Sequence, residues 1–535
     1  MQDKQDKKEL IKNEVARRRT FAIISHPDAG KTTLTEKLLL YGGAIRLAGT
    51  VKARKASSYA VSDWMEIEKQ RGISVTSSVM QFEYADHFIN ILDTPGHQDF
   101  SEDTYRTLVA ADSAVMLIDG AKGVEAQTIK LFHVCKMRGI PIFTFVNKMD
   151  RASKDPFELM EEIERVLGIR SYPMNWPIGT DGDFKGVYNR KLGQVELFEG
   201  GNHGQTAVTS IKGRVDDQTF ADLLGEHYHK RLCDEIELLD MAGDEFDREK
   251  INQGELTPMF FGSAMTNFGV QQFLEEFLEL APAPGIRESS NGEVDPGDER
   301  FTGFVFKIQA NMNPTHRDRI AFIRICSGLF TRGMSVRHIQ QGKEIRLSQP
   351  QQFMAQERAI VEEAYPGDII GVFDPGIFKI GDSLCEGNAS VRFDGIPIFP
   401  AEHFARVSPA DSMKRKQFVK GIDQLSEEGA IQVFRQADMG MEALVVGAVG
   451  ALQFEVLEHR LKHEYGVDLR ISHLSYKYAR WLSDSVENAK KLNLTSSTMI
   501  AQDKEGRTVL LFENDWSIRW AEERNKGLEL TDIAK

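Results

Sequence analysis

The chain carries the sequence Ser25-His26-Pro27-Asp28-Ala29-Gly30-Lys31-Thr32 between two apolar segments of different periodicity. Residues 21–24 form a short apolar run, which is typical of a buried parallel strand, and Leu34 and Leu38 follow at helical spacing. A strand, a Gly-Lys-Thr loop and a helix in this order predict a phosphate-binding P-loop, because loop amides and a helix N-terminus favour anions. We expect Lys31 to neutralise phosphate oxygens and Thr32 to bind Mg²⁺.

A second segment, Asp93-Thr94-Pro95-Gly96-His97, follows the apolar run 88–92. A strand over that run would bring Asp93 to the site, where it can hold Mg²⁺ through water. The Gly96 N–H is expected to contact the terminal phosphate, so that the following loop can adopt two states. A single His in a loop is most often a surface residue, but next to this motif we interpret His97 as the group that orients the attacking water.

A third segment, Asn147-Lys148-Met149-Asp150, follows the apolar run 142–146. The Asp150 carboxylate can accept hydrogen bonds from the N1–H and the 2-amino group of guanine. Adenine has neither donor and would leave the carboxylate unpaired, which is costly in a half-buried site. Lys148 would lie along the base, and Ser263-Ala264, after a further apolar run, would offer a backbone contact to guanine O6.

The order of these segments predicts an α/β domain with parallel strands that end at one nucleotide site. Its ligands would be GTP and GDP with Mg²⁺, and its reaction the hydrolysis of GTP. The chain between Asp150 and Ser263 is longer than one helix and a loop require. We therefore predict an inserted subdomain at about 170–255, with short antiparallel strands near 186–188 and 194–198.

The composition limits the class of protein. At 535 residues the chain has the length for three or four domains. No apolar run approaches the roughly 20 residues that cross a bilayer, and the N-terminus lacks the apolar segment of a signal peptide. Four dispersed cysteines indicate reduced thiols rather than zinc ligands, so we expect a cytoplasmic protein without a membrane partner. A net charge of −14 argues against nucleic-acid binding over the whole surface, although local basic residues are compatible with an RNA-rich partner.

These motifs, together with Arg71-Gly72-Ile73-Ser74 and Gln98-Asp99-Phe100, resemble the translational GTPases that act on the ribosome. The resemblance implies that Ser74 stands where the family has a Thr whose hydroxyl completes the Mg²⁺ shell, with Thr76 as a weaker substitute. It also implies a hydrophobic gate formed by Pro27 and Ile73 beside the catalytic His97. Hydrolysis would then be slow until the ribosome moves this His inward.

The rest of the chain divides by pattern. Residues 301–395 contain strand-like runs with Gly turns and resemble the β-barrel that is the second domain of this family. In 396–535, a strand-helix-strand-strand-helix-strand order predicts a ferredoxin-like α+β domain with a C-terminal extension. The P-loop GTPase domain would then span 1–285, and a linker 286–300.

The domain order and length resemble the class II termination GTPases of that family, because translocating elongation factors need two further domains. By this resemblance the chain would use GTP on the ribosome to eject class I release factors after the peptide is freed. We expect it to be a monomer off the ribosome. Three alternatives stay open: another ribosomal GTPase (translocase-like or ribosome-protecting), a GTP-switched binding module with little turnover, and the GTPase subunit of a metabolic enzyme.

Overall fold

The computed structural model describes residues 2–44, 68, 74–179, 184–198, 208–310, 319–354, 357–388, 390–396, 398–436 and 444–532. The N-terminal strands are β1 Arg18–Ser25, β2 Ser78–Tyr84, β3 His87–Asp93, β4 Ser113–Asp119, β5 Ile142–Asn147, β6 Arg170–Pro173, β7 Asn175–Ile178, β8 Gly186–Asn189, β9 Gln194–Phe198, β10 Val208–Lys212 and β11 Leu256–Phe261. The helices of this part are α1 Gln2–Arg17, α2 Lys31–Tyr41, α3 Ser101–Val109, α4 Ala126–Met137, α5 Pro156–Leu167, α6 Gln218–Leu224, α7 Glu226–Ala242, α8 Arg248–Asn252 and α9 Val270–Leu280.

Seven of these strands form one sheet in the order β2-β3-β1-β4-β5-β11-β6. All neighbours in it are parallel except β2 and β3. Successive residues of β1 face opposite sides, because Phe21 and Ile23 join one apolar cluster while Ala22 and Ile24 join another. Both faces of the sheet are therefore covered, which explains why the run 21–24 is continuously apolar and confirms the predicted parallel strand.

The sheet brings the three predicted segments to the same edge. β1 lies between β3 and β4 in the sheet. The strands that follow β1 in the chain therefore lie first on one side of it and then on the other, so the strand order changes direction at β1. Ser25 ends β1, Asp93 ends β3 and Asn147 ends β5. In open α/β sheets ligands bind at the carboxyl ends of strands where the strand order changes direction, and this is where the P-loop sequence lies.

Within the stretch 170–255, the strands near 186–188 and 194–198 pair in antiparallel fashion, as predicted. They belong to a separate sheet of order β10-β9-β8-β7, which helices α6 to α8 follow. β6, at the start of the stretch, pairs with β11 in the large sheet instead. The sheet of the insertion therefore begins with Asn175.

A barrel-like domain follows a short hairpin of β12 Arg287–Ser289 and β13 Gly292–Val294. Its strands are β14 Thr302–Ala310, β15 Arg319–Ser327, β16 Phe330–Thr331, β17 Ser335–His338, β18 Lys343–Arg346, β19 Gln351–Met354, β20 Glu357–Ile360, β21 Glu363–Ala364, β22 Ile369–Phe373 and β23 Ser383–Cys385. Eight of them form one antiparallel sheet around an apolar core, which confirms the predicted β architecture.

The C-terminal α+β domain contains β24 His403–Pro409, α10 Arg415–Glu427, β25 Gln432–Gln436, β26 Leu444–Ala448, α11 Leu452–Tyr465, β27 Leu469–Leu474, β28 Tyr478–Leu482, α12 Val486–Ala489, β29 Met499–Gln502, β30 Thr508–Phe512, α13 Asp515–Arg524 and β31 Leu530–Thr531. The order β27-β24-β26-β25 is that of the predicted ferredoxin-like plan. Beyond this plan the sequence predicts only a C-terminal extension, and in the structure the sheet continues there through β29, β30, β28 and β31. These added strands are short, and β29 joins them to the ferredoxin-like part because it pairs with the edge strand β25 on one side and with β30 on the other.

Buried ion pairs join the N-terminal domain to the barrel. Arg324 Nη2 lies 2.5 Å from Asp112 Oδ2, and Arg18 Nε lies 2.9 Å from Asp368 Oδ2. Arg106 of α3 donates to the main-chain carbonyl oxygens of Glu428 and Gly429 in the C-terminal domain. Among the described residues no helix is both long and apolar enough to span a membrane.

Candidate nucleotide site

The phosphate-loop sequence forms a turn between β1 and α2. Asp28 and Gly30 both have positive φ, 66° and 97°, and α2 begins at the next residue, Lys31. A Cβ at position 30 would lie 2.3 Å from Nδ2 of Asn147, so only Gly fits there. The turn and the N-terminus of α2 therefore lie at the edge of the sheet, and the N–H groups of a helix N-terminus favour an anionic phosphate.

Lys31 and Asp93 meet at the bottom of this turn. The Lys31 ammonium lies 2.5 Å from Oδ1 of Asp93, and both side chains are buried. This contact follows from strand register, since Ile23 of β1 pairs with Asp93 of β3. The Oγ of Ser25 is also buried and has no hydrogen-bond partner among the described residues. A buried cation and an unpaired hydroxyl fit the oxygens of a phosphate chain.

Thr32 lies half-buried in the first turn of α2. The Thr94 hydroxyl donates to the Ile23 carbonyl at 2.6 Å, and the Pro95 carbonyl accepts from Thr104. A Cβ added to Gly96 would lie 3.5 Å from Cα of Pro27, so the second segment passes directly over the phosphate loop. This proximity is what a loop that senses the terminal phosphate requires.

His97 lies at the start of a short 3₁₀ turn, Gln98–Phe100, with 30% of its side chain exposed. Its Nδ1 accepts a hydrogen bond from the Asp99 N–H at 3.2 Å. Ser74 is half-buried, and the two N–H groups after it, of Val75 and Thr76, donate to Oε1 of Glu68. Ile73, the predicted partner of Pro27 in the gate, lies outside the described residues, as do residues 71 and 72.

On the other side of the phosphate loop, Asn147 joins two loops. Its Nδ2 donates to the Ala29 carbonyl at 2.8 Å, and its Oδ1 accepts from the Ala264 N–H at 2.8 Å. Ser263 forms two main-chain hydrogen bonds with Phe268, which fold the Ser-Ala loop back over the end of β11. Asn147 therefore links these two loops, and the Ala264 N–H, one main-chain group of the predicted Ser263-Ala264 contact to guanine O6, donates to Asn147.

Lys148, with a positive φ of 69°, extends across the phosphate loop and donates to the Asp28 carbonyl at 2.5 Å and to Asp119 Oδ2 at 2.7 Å. Burial alone would raise the pKa of Asp119, but hydrogen bonds from Lys148 and from main-chain N–H groups hold that pKa below its usual range. Sequence reasoning missed Asp119 as a site residue, although its position at the carboxyl end of β4 was a usable signal. It also missed Glu125, which lies 3.1 Å from Nε2 of His26.

Asp150 follows a tightly held residue. The Met149 side chain is buried and its N–H donates to the Gly262 carbonyl at 3.1 Å. The Oδ1 of Asp150 is buried and has no hydrogen-bond partner within the described part of the chain. A buried carboxylate oxygen without a donor is costly, and the N1–H and 2-amino group of a guanine would supply the missing donors. The candidate site thus has a buried ammonium at Lys31, which suits a phosphate group, and an unpartnered carboxylate oxygen at Asp150, which suits a guanine base.

Comparison with known families divides the chain into three matched regions. The family described as "Elongation factor Tu GTP binding domain" matches residues 16–283, and "Elongation factor G domain 2" matches residues 300–387. The family described as "Class II release factor RF3, C-terminal domain" matches residues 393–522. A solved structure from Thermus thermophilus is similar in fold, with a TM-score of 0.69 at 23% identity, over 91% of this chain and 72% of that one.

Full-length relatives are more informative. A peptide chain release factor 3 from Symbiobacterium thermophilum is 64% identical, over 97% of this chain and 98% of the relative. Proteins of the same name from Trichodesmium erythraeum and Listeria monocytogenes are each 53% identical, over 98% of this chain and 96% and 99% of their own lengths. These relatives confirm the predicted translational GTPase and decide between the alternatives that the sequence leaves open. The chain belongs to the peptide chain release factor 3 family, and it is a GTP-binding translational GTPase of translation termination.

Proposed function

We propose that this chain hydrolyses GTP when it is bound to the ribosome and uses the cycle to promote dissociation of class I release factors after peptide release. Its family membership supports this function, and one observation of the site supports the nucleotide chemistry. The buried ammonium of Lys31 and the unpaired carboxylate oxygen of Asp150 lie at loops that leave strands of one sheet. This combination suits a guanine nucleotide.

The proposed roles of the residues follow from their places in the site. Residues 25–32 would surround the phosphates with N–H groups, while Lys31 neutralises the β and γ oxygens. Residues 147–150, with the Ser-Ala loop at 263–264, would hold the base. Residues 93–96 would contact the terminal phosphate, and His97 would orient the attacking water.

Mg²⁺ fits the oxygen donors of this chain, since hard cations prefer hydroxyl and carboxylate ligands. Thr32 and Ser74 would hold the ion directly and Asp93 would hold it through water. When bound, the ion would neutralise charge on the phosphate oxygens. The ammonium of Lys31 contacts Asp93, and both side chains are buried. To neutralise a phosphate oxygen before hydrolysis, the ammonium would have to exchange part of this contact with Asp93 for contact with the phosphate.

His97 is proposed to contact the water only when the factor is bound to the ribosome, with Pro27 and Ile73 as a hydrophobic gate until then. We further propose that the factor is a cytoplasmic monomer between rounds. The GTPase domain is assigned to 1–285, with the barrel at 301–395 and the α+β domain at 396–535.

Two measurements test the proposal. Purified protein with GTP should accelerate the departure of a labelled class I release factor from ribosomes whose peptide has been released, and GDP alone should not. His97→Ala should keep GDP affinity near that of the wild type while ribosome-stimulated turnover falls by about 100-fold or more, the usual contribution of a positioned acid-base group. Unchanged turnover in His97→Ala would contradict the catalytic assignment. If the wild-type protein with GTP does not accelerate departure of the release factor, the termination role is contradicted.

A further inference from the structure

Asp99 connects the turn that carries His97 to the C-terminal domain. Its Oδ2 accepts a hydrogen bond of 2.7 Å from the N–H of Leu452, the first residue of α11. Its Oδ1 lies 3.3 Å from Nδ1 of His97, and its own N–H donates to the same Nδ1. One buried residue thus contacts the His97 ring twice while another domain holds its carboxylate.

The two domains approach each other very closely at this point. A Cβ at Gly450 would lie 2.2 Å from Cγ and 2.5 Å from Cα of Asp99, so no larger residue fits without displacing the turn. Beside this contact, Val75 and Phe100 pack against Val456 of α11 in a small apolar cluster. The position of the 97–100 turn is therefore coupled to the position of the start of α11.

The contacts of Asp99 also orient the imidazole ring. Both involve Nδ1, but the hydrogen bond is the one that the Asp99 N–H donates, while Oδ1 lies close to the same atom. A neutral ring whose Nδ1 accepts a hydrogen bond carries its proton on Nε2, so Nε2 would donate to a water. The nitrogen that is held by a hydrogen bond determines the role of the other one in a His side chain. Nε2 is therefore the atom through which His97 can contact a water, and Asp99 determines where that atom points.

We infer that Asp99 is a positioning residue for His97, and that the C-terminal domain controls this positioning through the Leu452 N–H and the close packing at Gly450. This inference rests on the proposed role of His97. A displacement of the C-terminal domain would remove the anchor of the Asp99 carboxylate and change the orientation of the ring. Contacts that the ribosome or a release factor makes with the C-terminal domain can thereby reach the GTPase centre.

The test compares Asp99→Ala and Asp99→Asn in single-turnover GTP hydrolysis over a range of ribosome concentrations. Asp99→Ala is expected to lower the maximal rate by about 10- to 100-fold, the effect of misplacing a reacting group by about an ångström. The ribosome concentration at half-maximal rate and the GDP affinity should change less than about twofold. A positioning defect lowers the maximal rate, whereas a loss of ribosome or nucleotide binding would change these two quantities. Asp99→Asn keeps a carbonyl oxygen for Leu452 and should recover part of the rate.

The double variant His97→Ala with Asp99→Ala separates positioning from general damage. If Asp99 acts through His97, the second substitution adds no further loss to the first, and the effects are not additive. Gly450→Ala should resemble Asp99→Ala. Gly395→Ala, at an open position with no atom near the added Cβ, is the matched control and should behave as the wild type.

A normal maximal rate in Asp99→Ala, or an equal further loss in the His97→Ala background, would overturn the inference while leaving the proposed catalytic role intact. Retained turnover in His97→Ala alone would overturn both. Thermal unfolding of each variant identifies one that has merely lost stability, and Asp99→Asn then remains the deciding variant because it preserves the shape of the side chain.

Discussion

The side-chain amide of Asn147 donates to the Ala29 carbonyl oxygen at 2.8 Å, which ties the loop after β5 to the loop between β1 and α2. The other end of the same amide accepts from the Ala264 N–H. A third loop is thereby attached to the same side chain. One buried side chain therefore holds together the three loops that form the candidate nucleotide site.

This linkage makes position 30 sensitive to a single methyl group. In Gly30→Ala the new Cβ would overlap Nδ2 of Asn147, and the positive φ adds about 1–2 kcal/mol of backbone strain. We expect the dissociation constant for GDP, measured by calorimetry, to rise at least about tenfold, which corresponds to about 1.4 kcal/mol. Gly43 also has a positive φ, 67°, but open space around an added Cβ, so Gly43→Ala should lose stability without losing affinity.

Asp150→Asn is expected to change base selectivity. The substitution replaces the carboxylate, whose Oδ1 is buried, by an amide. The amide N–H can donate to the 2-keto group of xanthine, whereas the charged acceptor for the N1–H and 2-amino group of guanine is lost. Competition between GDP and XDP for the protein should shift by at least about 100-fold toward XDP, since mismatched polar groups in such a site are strongly rejected. An unchanged competition profile would show that Asp150 does not contact the base.

Asp103 should make stability dependent on pH. Its Oδ2 accepts from the N–H and the hydroxyl of Ser77, and the ammonium of Lys307 in the barrel lies 4.0 Å away. Burial would raise the pKa of Asp103, but Lys307, Arg106 and the Ser77 hydrogen bonds outweigh it and hold that pKa below its ordinary 3.8. The unfolded chain therefore binds this proton first as the pH falls.

Because the folded pKa is depressed, the stabilisation by Asp103 is fully present above about pH 4 and is lost as the pH falls through the folded value. Denaturant unfolding of the wild type and of Asp103→Asn between pH 3 and pH 6 checks this expectation. The difference in unfolding free energy should be largest at the upper end of that range and shrink toward the lower end. A constant difference would mean that the carboxylate charge is not the stabilising element.

Arg324 should contribute strongly to the stability of the protein, because it joins the N-terminal domain to the barrel. Its guanidinium is buried against Asp112, so Arg324→Met leaves an incompletely paired charge and should cost about 3–5 kcal/mol of unfolding free energy. Arg332→Met breaks an exposed ion pair with Glu362 in the same barrel and should cost less than about 1 kcal/mol. Equal losses in the two variants would contradict the role of burial at this junction.

The strands of the large sheet were predictable where they are wholly or almost wholly apolar, as in residues 21–24 and 142–146, because two covered faces leave few polar positions. β2 was not recognised, since Ser78 and Gln81 interrupt its apolar pattern. Gln81 is nevertheless buried, and its amide donates to Asn90 and to the Ile369 carbonyl of the barrel. A polar residue whose partners come from another domain gives no signal of its burial in the local pattern.

The sequence alone predicted that the nucleotide loops lie at the ends of strands, because each consists of a few consecutive residues that follow a strong strand pattern. The order of the main strands and helices of the ferredoxin-like part was readable from its strand and helix patterns, but β2 and most of the added C-terminal strands were not. Only the tertiary structure decided that Asp99 meets Leu452, 353 positions away, and that Arg324 meets Asp112, 212 positions away. Such contacts depend on how whole domains pack against each other, and that packing is a sum of many weak interactions that no local spacing encodes.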